Sequence, residues 1–454
     1  MIKKLNQSAL VLAASTLPLI ACANQNPTTV KIVRSESALP TVQATANNTV
    51  FYQTLGVNTT SHQNNYQASN FGASPARSYT PPAVLGLSEY SNVLQNVNQK
   101  TLGRLLKDWQ SGQQIVVAHF GDSHVQPGWQ VAPIRKALQE LKGNAGRGII
   151  FPYKMAKTYS QEDYNSHFTG TWRTANSIQQ PPKIGVGVSG FVGVTKDSYA
   201  TFGFTFKDSS DRLGDIKATV YLRATGTYEI TASNGSRFES KTVDFQPTTQ
   251  MISFDLPNTG RDLNFTVSKK SSDGEFELHA VNLEKTGITG GVVYHNLGVG
   301  GAAFNAINQQ KRFAEQFGSL NADLVLLDWG TNDILYKNSI APDLESTIRS
   351  TIAKVRAINP DAAIILSSVQ ESRYKGNPTT AAADLSQMLW RIAVSEDVMF
   401  YDWYAVSGKS GSMRVFQDTG YANPKDSIHL NGKGYRVKGE MFVTALINAL
   451  ESAR

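Results

Sequence analysis

Residues 114–127, QIVVAHFGDSHVQP, decide how the chain is read. The apolar run up to Ala118 has the unbroken hydrophobicity of a strand buried on both faces. Gly121, Asp122 and Ser123 punctuate it, and Val131 to Leu141 then reads as a helix. Strand, turn and helix in that order open an α/β fold. The turn itself admits three readings. Ser123 is a nucleophile with His124 as its base, Asp122 and His124 bind a metal, or the stretch is a polar turn closing a strand.

Downstream, the same alternation recurs. Leu324 to Trp329 and Ala362 to Ser367 read as buried strands, with a shorter one at Met399 to Asp402. Leu344 to Ile358, Ala381 to Val394 and Gly434 to Leu450 carry helical periodicity. Upstream, Val93, Val97, Leu102, Leu105 and Leu106 predict a helix within Ser88–Trp109. Buried strands alternating with helices require a parallel sheet covered on both faces, and such sheets gather chemistry at the carboxyl ends of their strands.

Between 157 and 287 the texture changes. Short alternating runs at Ile184–Val188, Ala200–Phe206, Ala218–Leu222, Gly226–Ile230, Gln250–Phe254 and Phe276–Ala280 are separated by turn signals such as Ser233-Asn234-Gly235. This pattern predicts an antiparallel β-sandwich inserted into the α/β domain, which then occupies 88–156 and 288–454. Trp172, Tyr221 and Tyr228 in the insert are read as core aromatics rather than sugar platforms.

The 454-residue chain is 41% hydrophobic and 17% charged, with a net charge of +7. No basic run accompanies that charge, which excludes a nucleic-acid role and suits an anionic polymer or surface. Residues 1–22 read as an export signal: Lys3 and Lys4 precede an apolar stretch, Ala9 to Ala21, too short to span a membrane. The stretch ends Leu19-Ile20-Ala21-Cys22, and Cys22 is the sole cysteine. It resembles a bacterial lipobox, which implies lipidation at Cys22 and anchoring in the envelope. With Ala23 following, the implied destination is the periplasmic face of the outer membrane. Residues 23–87, rich in Asn, Gln, Ser, Thr and Pro, read as a flexible polar linker.

Three more polar stretches follow predicted strands or precede the last helix: Asn296 to Ala302, Gly330-Thr331-Asn332-Asp333, and Asp426-Ser427-Ile428-His429. Each alone is weak. With Gly121-Asp122-Ser123 in front, the ordered set resembles the SGNH (GDSL-type) hydrolase superfamily. The signature residues fall on Ser123, Gly301, Asn332 and His429, with Asp426 three residues before the histidine. The Asp-Ser-His opening, the insert after the first block and the glycine-rich loop Gly143–Gly148 are similar to the peptidoglycan O-acetylesterase group.

The resemblance implies a flavodoxin-like three-layer α/β/α parallel sheet and a serine esterase. Ser123 would be the nucleophile, His429 its base and Asp426 the group holding the base. The N–H groups of Ser123 and Gly301 and the Asn332 amide would form the oxyanion hole. Asp122 is expected to brace the turn and His124 to line the pocket, while Asp333 caps a turn and His119 and His295 are structural. No cofactor is implied. The seven histidines form no His-x-x-x-His set, so no metal site is expected. The expected reaction removes O-acetyl groups from a cell-wall glycan, most naturally peptidoglycan. An O-acetyltransferase using the same site, and a non-catalytic glycan-binding lipoprotein, are the alternatives.

Overall fold

The computed structural model describes residues 77–453, apart from 180 and 208–212. The signal-like segment, Cys22 and residues 23–76 of the expected linker lie outside the described residues. Helix α1 (Gln99–Ser111) leads to β1 (Ile115–Gly121), α2 (Val131–Lys142) and β2 (Asn144–Ile150). A run of strands follows: β3 (Tyr164–Thr169), β4 (Arg173–Asn176), β5 (Phe191–Thr195), β6 (Tyr199–Phe206) and β7 (Gly214–Ala224). It continues through β8 (Tyr228–Ser233), β9 (Phe238–Val243), β10 (Gln250–Thr259), β11 (Asp262–Lys269) and β12 (Phe276–Lys285). The chain returns by β13 (Val292–Gly298), α3 (Phe313–Leu320), β14 (Leu324–Asp328), α4 (Thr331–Ile334), α5 (Leu344–Ile358) and β15 (Ala363–Ser367). A hairpin of β16 (Arg373–Tyr374) and β17 (Asn377–Pro378) precedes α6 (Ala381–Ser395) and β18 (Met399–Tyr401). Helices α7 (Trp403–Val406), α8 (Ser412–Asp418) and α9 (Gly432–Ser452) complete it.

Strands β13-β1-β14-β15-β18 are parallel neighbours, the flavodoxin-like order in which the first strand lies between the second and third. Every residue of β1 is buried, as a central strand requires. Its alternate side chains feed two cores. Ile115 and Val117 pack with α1, α2 and α9, while Val116, Ala118 and Phe120 pack with α3, α5 and α6. The result is the expected three-layer arrangement.

The insert forms two antiparallel layers, but only one is a separate sheet. Strands β3-β6-β11-β8-β9 make that layer. The other, β10-β7-β12, is continuous with the parallel sheet, because β2 pairs β12 on one side and β13 on the other. Phe254 of β10 and Tyr228 of β8 reach across the layers to Phe265 and Phe276. Tyr221 and Tyr228 are buried, and Trp172 packs edge-on against Phe202 and Phe276.

Three sequence expectations change. The glycine run Gly143–Gly148, read as a loop, contains strand β2 instead. Its glycines meet a spatial demand rather than making a turn. A Cβ at Gly146 would stand 2.5 Å from the Leu283 carbonyl oxygen, and one at Gly148 would stand 2.6 Å from that of Tyr294. Both also adopt positive φ, and the ladder bulges on each side of the strand. The first helix starts only at Gln99, where Asn98 and Thr101 form a reciprocal cap. The end of the supposed linker is packed: Leu85 and Leu87 are buried, and Arg77 pairs with Glu440 of α9 at 2.7 Å.

Gly148→Ala is therefore expected to destabilise the protein by about 3 kcal/mol, combining left-handed strain with a steric clash. Urea unfolding monitored by tryptophan fluorescence checks this.

Candidate active site

Strands β13-β1-β14-β15-β18 end on the same edge, and the first three polar blocks hang from that edge. After β1 the chain turns at once: Val125 and Gln126 both donate their N–H groups to the Asp122 carbonyl. Two glycines make room for this turn. A Cβ at Gly121 would collide with Val125 at 2.2 Å, and one at Gly298 would meet the Gln126 nitrogen at 2.3 Å. Ser123 is thereby lifted to the rim while Asp122 and His124 turn inward.

Ser123 Oγ lies 2.7 Å from His429 Nε2, across 306 residues of chain. His429 Nδ1 lies 3.1 Å from Asp426 Oδ1. Asp426 is itself held: Oδ1 also accepts the N–H groups of Ile428 and His429, and Oδ2 accepts from Asn423 Nδ2 at 2.9 Å. The carboxylate thus closes its own loop and orients the imidazole, leaving Nε2 free to accept from the serine. Directly afterwards Asn431 caps α9 through the N–H groups of Lys433 and Gly434.

Gly301 takes φ +86 in the loop after β13. Among the described residues neither its N–H nor that of Ser123 has an acceptor. Asn332, on α4 beyond β14, donates through Nδ2 to the Ala302 carbonyl at 2.9 Å and, more weakly, to Asp122 Oδ2 at 3.3 Å. The three sequence-expected donors are therefore carried on neighbouring strand ends β1, β13 and β14.

Asp122 accepts the His124 N–H at 2.8 Å, the bracing role expected of it. Burial pushes its carboxyl up to about 8. His124 is not in position to serve as a base. Tyr435 Oη (2.7 Å) and the Gln370 amide (3.3 Å) both face its Nδ1, so its proton resides on Nε2, which donates to Thr331 Oγ1 at 3.1 Å. Burial first, then the proximity of His429 and Lys438, hold it well below the usual histidine range. Its centroid lies 5.0 Å from that of His429, as a packing partner.

Beneath these loops Asp328 accepts from Lys438 Nζ at 3.0 Å and from Gln130 Nε2 at 2.7 Å, all three buried. Burial would raise the Asp328 carboxyl, but the Lys438 charge outweighs it and holds the group well below the carboxylate range. His119 bonds Tyr294, and His295 accepts the Ile149 N–H, both structural as expected. Asp333 accepts the Phe304 N–H rather than facing the site. Among the described residues no three His, Cys, Asp or Glu side chains gather as a metal site would require.

Residues that sequence reasoning passed over complete the scaffold. Gln126 is fully buried, accepts the Gly300 N–H at 2.6 Å and donates to the Tyr159 carbonyl, fixing the Gly301 loop. Gln370 and Tyr435 hold His124, and Asn423 holds Asp426. Only Gln126 and Asn423 stand near a motif in the chain, three residues from Ser123 and Asp426.

Residues 274–437 match the model of the GDSL-like lipase/acylhydrolase family. The matched interval begins two residues before β12 and takes in Gly301, Asn332, Asp426 and His429 but not Ser123, which joins them through the geometry above. The stretch that carries these four residues is thus similar to the GDSL-like lipase/acylhydrolase family, and with the fold and the ordered blocks it supports a carboxylic ester hydrolase. Its fold is similar to that of a peptidoglycan O-acetylesterase, at 21% identity and a TM-score of 0.65 over 80% of this chain and 100% of that one. A Bacillus subtilis protein is matched at 16% identity and a TM-score of 0.29, covering 63% and 90% of the two chains. A family two carbohydrate esterase from Cellvibrio japonicus is matched at 10% identity and 0.26, covering 64% and 100%. No curated protein sequence matches the chain.

Burial pushes the Asp333 carboxyl up to about 7. A carboxyl raised in the folded state holds its proton where the unfolded chain has lost it. Stability from this group is therefore present at low pH and lost as pH rises from about 4 to about 7. Asp333→Asn is expected to flatten that decline, seen as a smaller fall in urea midpoint between pH 5 and pH 8.

Proposed function

We propose that the protein is a serine acetylesterase that removes O-acetyl groups from a cell-wall glycan, with peptidoglycan as the substrate polymer. The observation that carries the catalytic part is the hydrogen-bonded series Ser123–His429–Asp426 at 2.7 and 3.1 Å on the strand-end rim. His429 Nε2 takes the Ser123 proton as Oγ attacks the acetyl carbonyl, and Asp426 stabilises the imidazolium that forms. The N–H groups of Ser123 and Gly301 and the Asn332 amide receive the oxyanion. His429 then returns the proton to the departing sugar oxygen, leaving acetyl on Ser123. Water, deprotonated by the same imidazole, releases acetate and restores the serine.

The substrate reading is supported by the fold similarity, which spans the full length of the peptidoglycan O-acetylesterase. It also agrees with the net charge of +7, which favours an anionic polymer. Placement in the envelope rests on the lipobox-like Leu19-Ile20-Ala21-Cys22. A lipid at Cys22 would hold the enzyme at the outer membrane, facing the periplasm and the glycan beyond the polar linker.

Purified protein is expected to release acetate from O-acetylated peptidoglycan, and Ser123→Ala to lose at least about 1000-fold in kcat. Asn332→Ala should lower kcat about 100-fold with little change in KM, because an oxyanion donor acts in the transition state. Full activity of Ser123→Ala would refute the mechanism. Acetyl groups accumulating on an acceptor sugar, with no free acetate, would assign the transferase direction instead. Cys22→Ser is expected to shift the protein from the membrane to the soluble fraction on cell fractionation, and retention would refute the anchor.

A further inference from the structure

The rim carries exposed aromatic and cationic side chains that the chemistry above does not use. Asn332 and Tyr336 are four residues apart on one helical turn, which continues past α4 through Leu335 N–H to Thr331 and Asn338 N–H to Ile334 bonds. Their side chains therefore share a face. Tyr336 is 67% exposed, and its ring lies 5.4 Å from that of Tyr374, nearly perpendicular to it.

Tyr374 belongs to the β16–β17 hairpin. Its neighbour Arg373 donates its backbone N–H at 2.7 Å to the carbonyl of Ser427, between Asp426 and His429. Asn338 ties the two sides together, donating to Thr380 Oγ1 and accepting the Ala381 N–H, each at 3.1 Å. The aromatic pair thus bridges the loop of the oxyanion residue and the loop of the base.

Four cations surround it in sequence: Lys337 after Tyr336, Arg373 and Lys375 on either side of Tyr374, and Lys425 before Asp426. Lys375 Nζ stands 5.3 Å from the centre of the Tyr374 ring. Among the described residues none of the four makes an ion pair, although Arg373 Nη2 donates to the Gly376 carbonyl at 2.6 Å. The nearby carboxylates are engaged elsewhere. Asp333 takes the Phe304 N–H, Glu371 the Gly411 N–H, and Asp426 is bonded to His429 and Asn423.

We infer that Tyr336, Tyr374, Lys337, Arg373, Lys375 and Lys425 form a subsite for a carboxylate-bearing glycan segment next to the sugar whose ester is cleaved. This rests on the glycan reading of the site. The electropositive C–H face of a pyranose ring meets the π face of Tyr336, and the carboxylates of its substituents meet the unpaired cations. Exposed ion pairs are individually weak and salt-sensitive, so the cations select the acidic segment while the ring supplies contact area.

The test uses Ser123→Ala protein, which binds without turnover, and soluble muramyl glycan–peptide fragments lacking O-acetyl groups, with calorimetry giving Kd. Tyr336→Ala should raise Kd about tenfold for the native fragment and for one with its carboxylates amidated. The Lys337→Gln/Lys375→Gln pair should raise Kd about fivefold for the acidic fragment alone and flatten its salt dependence. Unchanged Kd in both variants overturns the subsite, and equal loss on both fragments overturns the role given to the cations. Circular dichroism and urea midpoints check that the variants fold. Acetate release by the unmutated enzyme is measured separately. If binding follows the expected pattern but no acetate is released, the subsite stands and the esterase reading falls. If acetate is released but binding ignores the variants, the subsite falls alone.

Discussion

The buried Asp328–Lys438 pair is the interaction around which the site is assembled. Asp328 ends β14, from which the chain runs to Asn332, and Lys438 lies in α9, which begins three residues after His429. Gln130, also bonded to Asp328, stands at the entrance of α2, seven residues after Ser123. Three segments that carry the candidate site residues are thus anchored to one carboxylate below them. Removing two charges from water makes such a pair a poor source of net stability, yet breaking it leaves an uncompensated charge that costs about 3–5 kcal/mol. Its value here is positional: α9 cannot slide or rotate without exposing Asp328, and the His429 loop is fastened to the start of α9.

The register of β1 does the complementary work. Gly121 faces Gly298 on one side and Asp328 on the other, so the turns bearing Ser123, Gly301 and Asn332 leave the sheet at the same height. A slip of one residue would exchange the faces of β1 and send Ile115 and Val117 into the wrong core. The opposite end is clipped as well. The Asp323 carboxylate accepts both the Val116 N–H at 2.8 Å and Arg104 Nε at 2.6 Å.

Much of this was legible in the sequence, for definable reasons. Strands buried on both faces write continuous apolar runs, so β1, β14, β15 and β18 were readable, and the residues brought together at the rim lie in the polar blocks that follow strands or precede α9. The glycine run of β2 was misread because local chemistry says turn, whereas close backbone approach from Leu283 and Tyr294 is a tertiary fact. Ile184–Val188 looked like a strand, yet Val186 and Val188 bond to Arg312 and Gln316 at the start of α3 instead of joining a ladder. Strands β3, β9 and β11 carry too many polar residues to stand out from loops. Gln126, Gln370 and Tyr435 were invisible as site members because each acts through a buried contact with a distant loop.

The continuity of the sheet through β2 also has a mechanical meaning. A domain joined by two linkers can hinge; a layer sharing hydrogen-bonded ladders with its neighbour cannot move without tearing them. Any molecule held by the insert would therefore keep a constant distance and angle from Ser123, as in a fixed jig rather than between closing jaws. The same ladders make the insert a poor candidate for excision: cut free, β12 would offer an open, unpaired edge to any passing strand.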